Sequence, residues 1–263
     1  MHRPSLRVAI PLAVVVALAA AAGTFVLTHQ DHATALRPGA AVDKFRSSST
    51  LIPTTATGTP RTAADLGVYS YTTTGYEKTD VLSGARHDYP AVSTITYTPT
   101  GCGEEDRWQP LVSRFGANVT CRTPAGLELR STQQHREFFG RVQAQSFTCP
   151  AGFVELPTPA VVGHQSKATC PGSTGSIALT SKVLGSSVFQ VGGGSVEVTH
   201  VMLAGTLTGQ VTGTITRDLY FEADTGLLVR VTGTADTHSN TLAGPAKYTE
   251  RYSLSLTSLT PQR

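Results

Sequence analysis

Hydrophobic and polar positions alternate most clearly in the last third of the chain. Ser195 to Thr208 predicts a strand, and Gly209-Gln210 a tight connection. Val211 to Glu222 predicts the next strand, with Ile215, Leu219 and Phe221 on one face. Ala223-Asp224-Thr225-Gly226 has turn chemistry, and Leu227 to Thr234 runs back with Leu227, Val229 and Val231 on one side. Ala246 to Leu259 closes the series, setting Tyr252, Leu254 and Leu256 against Ser253 and Ser255. Period-two segments joined by turns predict an antiparallel meander with one apolar and one polar face. In the first half, Val68 to Thr74, Val92 to Thr98, Gly126 to Gln133 and Gly140 to Thr148 predict strands. Arg136 to Phe139 fits a short helix cap as an alternative, and Pro157 to Pro171 reads as a loop. The expected fold class is mainly β: a single antiparallel curved sheet or half-barrel, formed by residues 67–263 behind one N-terminal transmembrane helix.

That helix is expected at residues 8–27, an uncharged run preceded by Arg3 and Arg7. At 1.5 Å per residue such a run spans about 30 Å, a bilayer's hydrocarbon thickness. The arginines would hold residues 1–7 as a cytoplasmic tail and send the rest outward. The alternative is a cleaved signal peptide, with Ala20-Ala21-Ala22 as the small-residue cut site and a secreted product. Residues 28–66 carry Ser47-Ser48-Ser49-Thr50, Pro53-Thr54-Thr55 and Thr59-Pro60, a composition expected to stay a disordered linker. The expected location is therefore the cell membrane with the C-terminal domain extracytoplasmic.

Charge narrows the partners. Before Gly67 the chain has six Lys/Arg and three Asp/Glu; from Gly67 onward it has fifteen of each. A formally neutral domain without a basic cluster lacks the footprint of a nucleic-acid binder. Cys102, Cys121, Cys149 and Cys170 are an even set suited to an oxidising compartment, where two disulfides are the simplest reading. Three connectivities are open, and sequential pairing would close two loops of about twenty residues. No CxxC spacing occurs, so zinc and dithiol redox chemistry have no motif.

Candidate chemistry is sparse. Arg86-His87-Asp88-Tyr89 is the densest polar cluster, but adjacent strand residues face opposite ways, and a turn packed by Tyr89-Pro90 is the plainer reading. Glu104-Glu105-Asp106 lacks the alternation of a calcium loop and reads as a solvated acidic loop. Gly192-Gly193-Gly194 has no lysine or helix after it and reads as a hairpin turn. His29 and His32 lack further ligands, and Asn118-Val119-Thr120 is a glycosylation sequon. His135, His164 and His200 stand in no HExxH, and no serine in a GxSxG. No catalytic, cofactor or metal residue is assigned. If a site is assembled from distant residues, His87, His200 and Glu250 are its polar candidates.

Val191-Gly-Gly-Gly-Ser-Val-Glu-Val-Thr-His200, Asp218-Leu-Tyr-Phe-Glu222, Thr225-Gly-Leu-Leu-Val-Arg230 and Tyr248-Thr-Glu-Arg-Tyr252 resemble uncharacterised anchored proteins of high-GC Gram-positive bacteria. More loosely, they are similar to the LolA-like lipoprotein-carrier superfamily. The resemblance covers about Val191 to Pro261 and implies a curved antiparallel half-barrel. A lipobox cysteine is missing. Two classes of function remain: a non-enzymatic extracytoplasmic module binding an apolar or envelope-derived ligand, or an envelope hydrolase with a non-contiguous site. A structural or partner-docking surface protein is a third reading. A pocket lined by Val, Leu and Phe favours the first; converging titratable groups favour the second.

Overall fold

The computed structural model of the chain describes residue 31 and residues 33–48, 63–81, 84–241 and 244–263. The span expected at 8–27 and the tail at 1–7 lie outside the described residues. No helix among the described residues is long and apolar enough to cross a membrane. Residues 33–263 form one unit, distinct from residues 1–32.

Fourteen strands make one antiparallel sheet: β1 (Gly67–Thr79), β2 (Ala85–Asp88), β3 (Val92–Pro99), β4 (Gly103–Leu111), β5 (Arg114–Thr123), β6 (Gly126–Phe138), β7 (Arg141–Thr148), β8 (Val154–Pro157), β9 (Gln165–Gly172), β10 (Gly175–Val191), β11 (Gly194–Gly209), β12 (Val211–Glu222), β13 (Leu228–Thr241) and β14 (Gly244–Leu256). Starting from β9, the sheet runs through β10, β11, β12, β13 and β14, crosses to β1, and continues through β3, β4, β5 and β6 to β7. The β14–β1 step is a nine-residue ladder from Tyr71↔Leu256 to Thr79↔Tyr248. β2 and β3 follow one another along one edge of β1, and β8 and β7 along one edge of β6.

The two ends of this rolled sheet, β7 and β9, meet at a seam whose ladder is a single residue pair, Phe147↔Gly172. Two residues further along that register, Cys149 is bonded to Cys170. Next to it, the Val154 N–H donates to Ser166 Oγ (3.1 Å) and Ser181 Oγ–H donates to the Val154 carbonyl (2.8 Å), tying β8 to β9 and β10. The other disulfide, Cys102–Cys121, joins the adjacent strands β4 and β5. Two disulfides fit an extracytoplasmic location.

The inner face follows the period of two. Ile177 and Leu179 of β10, Val201, Leu203 and Leu207 of β11, Leu219 and Phe221 of β12, Val231 of β13 and Leu254 of β14 share one core with Tyr69, Tyr71, Ile95, Tyr97 and Leu129 from the opposite wall. The turn between β12 and β13 folds against that wall. Gly226 there has φ +71°, and a Cβ on it would lie 2.6 Å from Leu127, so both backbone and space require glycine. The Thr225 carbonyl in this turn accepts from Arg122 Nη2 (2.6 Å), which also donates to Glu104 (2.8 Å).

Several expectations need correction. Glu104-Glu105-Asp106 is not a solvated loop but part of β4, with Glu104 and Asp106 buried. Arg86-His87-Asp88 is strand β2 rather than a turn, with His87 buried and Asp88 exposed. The second half of the 157–171 loop is β9, and β10, unassigned from sequence, is the longest strand. Arg136 to Phe138 continues β6 and is not helical. The expected linker at 28–66 contains a helix, α1 (Pro38–Ser48), which buries Ala41, Val42 and Phe45 against Leu66 and Val68. Pro38 suits a first helical position, and three apolar side chains within one face are enough to dock it. Just before it, the Leu36 N–H donates to the Pro110 carbonyl and the Val112 N–H to the Thr34 carbonyl.

Candidate functional site

Inside the rolled sheet lie two polar groupings. The first draws on five strands. Glu77 on β1 faces His87 on β2, whose Nδ1 is 3.0 Å from Glu77 Oε1, and accepts from the Tyr248 hydroxyl of β14 (3.0 Å). Glu250, the register partner of Glu77 on β14, accepts from Arg114 Nε (3.2 Å) and Nη2 (2.9 Å) and from the Tyr89 hydroxyl (2.5 Å). Arg114 Nε also lies 3.7 Å from Glu77. The guanidinium of Arg136, the register partner of Arg114, sits 3.7 Å above the Tyr248 ring, and His87 stacks on Phe138. All five ionisable side chains are buried. Burial pushes the Glu250 carboxyl up, but Arg114, the Tyr89 hydroxyl and Arg136 outweigh it and hold the carboxyl below its ordinary range. Burial likewise works against the charge on Arg114, and Glu250 with Tyr248, Tyr89 and Glu77 more than offsets it. Glu77, His87, Arg114 and Glu250 thus form a paired ion network across the sheet, with Arg136 stacked on Tyr248 beside it.

The second grouping faces the turn between β12 and β13. Asp106 accepts from the Asn118 amide (2.9 Å), and burial raises its carboxyl to about 7 against Asn118 and Arg217. Burial, with Asp106 adding to it, raises Glu155 on β8 to about 7 as well. These two carboxyls, Glu104, Asn118 and Arg217 line a cavity of about 30 Å³ with Tyr97, Leu127, Leu219 and Phe221. Arg217 also lines a second cavity of about 40 Å³ inside the rolled sheet, which the seam residue Phe147 reaches from β7. Its lining mixes apolar side chains, Leu129, Phe147, Ile177, Leu179, Leu203 and Leu207, with polar ones, among them Arg136, Arg217, Glu250 and Tyr252.

The raised carboxyls fix the sign of a pH effect. In the unfolded chain Asp106 and Glu155 ionise near 3.8 and 4.5, and in the folded protein near 7. The folded state thus holds more protons between about pH 4 and 7, and their contribution to stability falls as pH rises through that window. Glu155→Gln should raise stability at pH 8 by about 1–3 kcal/mol and change it little at pH 4. Urea denaturation at the two pH values reads this; an equal effect at both, or a loss at pH 8, contradicts it.

Of the three sequence candidates, the structure brings His87 and Glu250 into the ion network and leaves His200 apart. His200 lies on the outer face of β11, stacked on Tyr220, with Nε2 2.9 Å from Asp218. The residues that shape the interior were Glu77, Asp106, Arg114, Arg136, Glu155 and Arg217. One signal for them was legible: Arg217 stands at a period-two position between Ile215 and Leu219, a cation on an otherwise apolar face. Among the described residues no group of three His, Cys, Asp or Glu is arranged to hold a metal ion.

Fold and interior together define a rolled antiparallel β-sheet with a charged lumen and a seam nearly free of ladder bonds. No protein-family model matches the chain, and no curated protein matches it. Among solved structures it is similar to the hypothetical lipoprotein YmcC from Escherichia coli K12, at 14% identity and a TM-score of 0.32, over 69% of this chain and 83% of that one.

Proposed function

We propose that residues 33–263 form a non-enzymatic extracytoplasmic binding module that takes an apolar, envelope-derived ligand into the lumen through the β7–β9 seam. The observation that carries this reading is the cavity that Phe147 reaches from the seam. Gln145 and Phe147 line it from the β7 side, and Ile177 and Leu179 from β10, next to β9. Apolar side chains at this position face a void beside the one place where the sheet has almost no ladder. At about 40 Å³, the void holds on the order of three waters, against several hundred Å³ for a ligand-sized pocket. The described conformation is therefore the closed one, and ligand uptake requires β7 and β9 to part. Against a hydrolytic role for His87 and Glu250 stand their burial and their pairing with other groups, His87 with Glu77 and Glu250 with Arg114 and Tyr89. One observation keeps that second reading in view: Asp106 and Glu155, both near 7, share a cavity.

The test uses the full chain. N-phenyl-1-naphthylamine, a neutral apolar fluorophore, should show saturable enhancement near one probe per protein, and an organic extract of protein purified from its own host should contain a roughly stoichiometric amphiphile by mass spectrometry. No saturable fluorescence and an extract equal to a mock purification would overturn the reading. Release of product from ester or glycoside probes, abolished by Asp106→Asn, would establish the hydrolase instead.

A further inference from the structure

We propose that the ligand of this lumen is an anionic amphiphile, and that Arg217, with Arg136 lining the same cavity, receives its anionic head while the chain lies against Leu179, Leu203 and Leu207. The inference rests on the binding reading above and adds the charge of the ligand to it.

The charge distribution around the cavity carries the argument. Arg136 and Arg217 both line it, and among the described residues neither has a carboxylate within salt-bridge distance. The cavity's one carboxylate, Glu250, is already occupied by Arg114 and by the Tyr89 hydroxyl. Arg136 is 5% exposed, yet its Nη1 has no hydrogen-bond partner among the described residues. Unpaired guanidinium N–H groups are costly away from water unless an anion completes them. The lining of this cavity thus carries two arginines and one carboxylate beside apolar side chains, with one N–H group of Arg136 left open.

Arg217 is also positioned for this. Its β12 neighbours Ile215 and Leu219 are core or core-lining residues, and its register partners are Leu203 and Gly233. A Cβ on Gly233 would fall within 2.5 Å of the Tyr252 ring, so the glycine leaves room for that ring to lie over it. The Tyr252 phenol thereby comes beside Arg217 and supplies a second donor to the same cavity. Asp106 and Glu155, which share the other cavity with Arg217, attract it from beyond salt-bridge distance. A planar guanidinium flanked by a phenol suits a carboxylate or a phosphate, which it can bind through two parallel N–H groups.

Displacement of N-phenyl-1-naphthylamine from the full chain tests the proposal with four probes sharing one chain length, each below its micellar concentration: dodecanoate, dodecyl phosphate, 1-dodecanol and dodecyltrimethylammonium. The two anions should displace the fluorophore at least about tenfold more tightly than the alcohol, and the cation more weakly than the alcohol. Arg217→Gln should remove most of that preference, and Arg217→Lys should restore part of it. Equal binding of alcohol and anions by the unaltered protein overturns the proposal and leaves the binding reading intact, and it does so even if Arg217→Gln fails to fold. A preference unchanged in Arg217→Gln also overturns it. Displacement by none of the four, with no fluorophore binding, removes the binding reading itself. Inorganic phosphate should compete far more weakly than dodecyl phosphate; equal competition would make this a site for a free anion and overturn the amphiphile assignment.

Discussion

Arg114→Met should destabilise the protein by about 3–5 kcal/mol at pH 7, because it strands two buried carboxylates at once. Arg114 is 2% exposed, and Glu77 and Glu250 are 0% and 4% exposed. With the guanidinium gone, Glu250 keeps the Tyr89 hydroxyl and Glu77 keeps Tyr248 and His87, but no arginine remains within salt-bridge distance of either carboxylate. Each must then stay charged in a poor environment or take up a proton. The pH dependence separates this from a simple packing loss. In the unaltered protein Glu250 is held below its ordinary range, so its stabilising contribution is present at neutral pH and lost as pH falls through the folded value. The deficit of Arg114→Met should therefore shrink between pH 7 and pH 4. The double variant Arg114→Met with Glu250→Leu should recover much of the loss, since a whole buried pair exchanged for apolar groups is far less damaging than half of one. Chemical denaturation of the three variants at both pH values gives the cycle. A pH-independent deficit would show that the network is not held by charge.

Replacing Cys149 and Cys170 together with alanine should cost about 3 kcal/mol and loosen the seam selectively. The Cys102–Cys121 bond is the control, because the sequence separations, 21 and 19, make the loop-entropy contributions nearly equal. What differs is the surrounding ladder. Cys102–Cys121 bridges strands already paired from Gly103↔Cys121 onward, whereas Cys149–Cys170 spans a junction with one ladder pair. Hydrogen exchange at 141–148 and 165–172 should accelerate in the Cys149/Cys170 variant and stay protected in the Cys102/Cys121 variant, with β11 to β14 protected in both. Variants are preferable to reductant because Cys149 and Cys170 are buried, whereas Cys102 is exposed. Unchanged exchange across the seam would mean that contacts other than the disulfide hold it, and would weaken the proposed route into the lumen.

How far each element could be read depended on what its inward side chains are. β11 to β14 turn mostly apolar residues to the core, so alternation of Leu203, Leu219, Val231 and Leu254 with polar neighbours exposed them directly. β13 and β14 extend to Thr241 and from Gly244, beyond the limits expected at Thr234 and Ala246, because Gly233, Gly244 and the Ser/Thr positions carry no hydrophobic signal. β4 and β9 stayed hidden for the same reason. Glu104 and Asp106 point inward on β4 as a valine would elsewhere, and their burial is compensated by Arg122 and Asn118 from the next strand and by Arg217 from β12. The helix α1 was invisible because its apolar face is three residues wide and gains its stability from Leu66 and Val68.

Sequence alone determined that this is a β-rich, disulfide-bearing domain, and that its last four strands form a meander with a known inner face. Local chemistry settles such things: side-chain period, turn residues and cysteine parity act within a few residues or by simple count. Tertiary structure alone decided which polar residues share the interior. Glu77, His87, Arg114, Arg136 and Glu250 lie on five strands and meet only because β14 pairs with β1 and the sheet rolls up. The same closure places His200 outside while His87, an identical side chain, is buried against Glu77. Alternation says that neighbouring residues face opposite ways, but which way is inward, and what stands opposite, is fixed by strand register across the whole sheet.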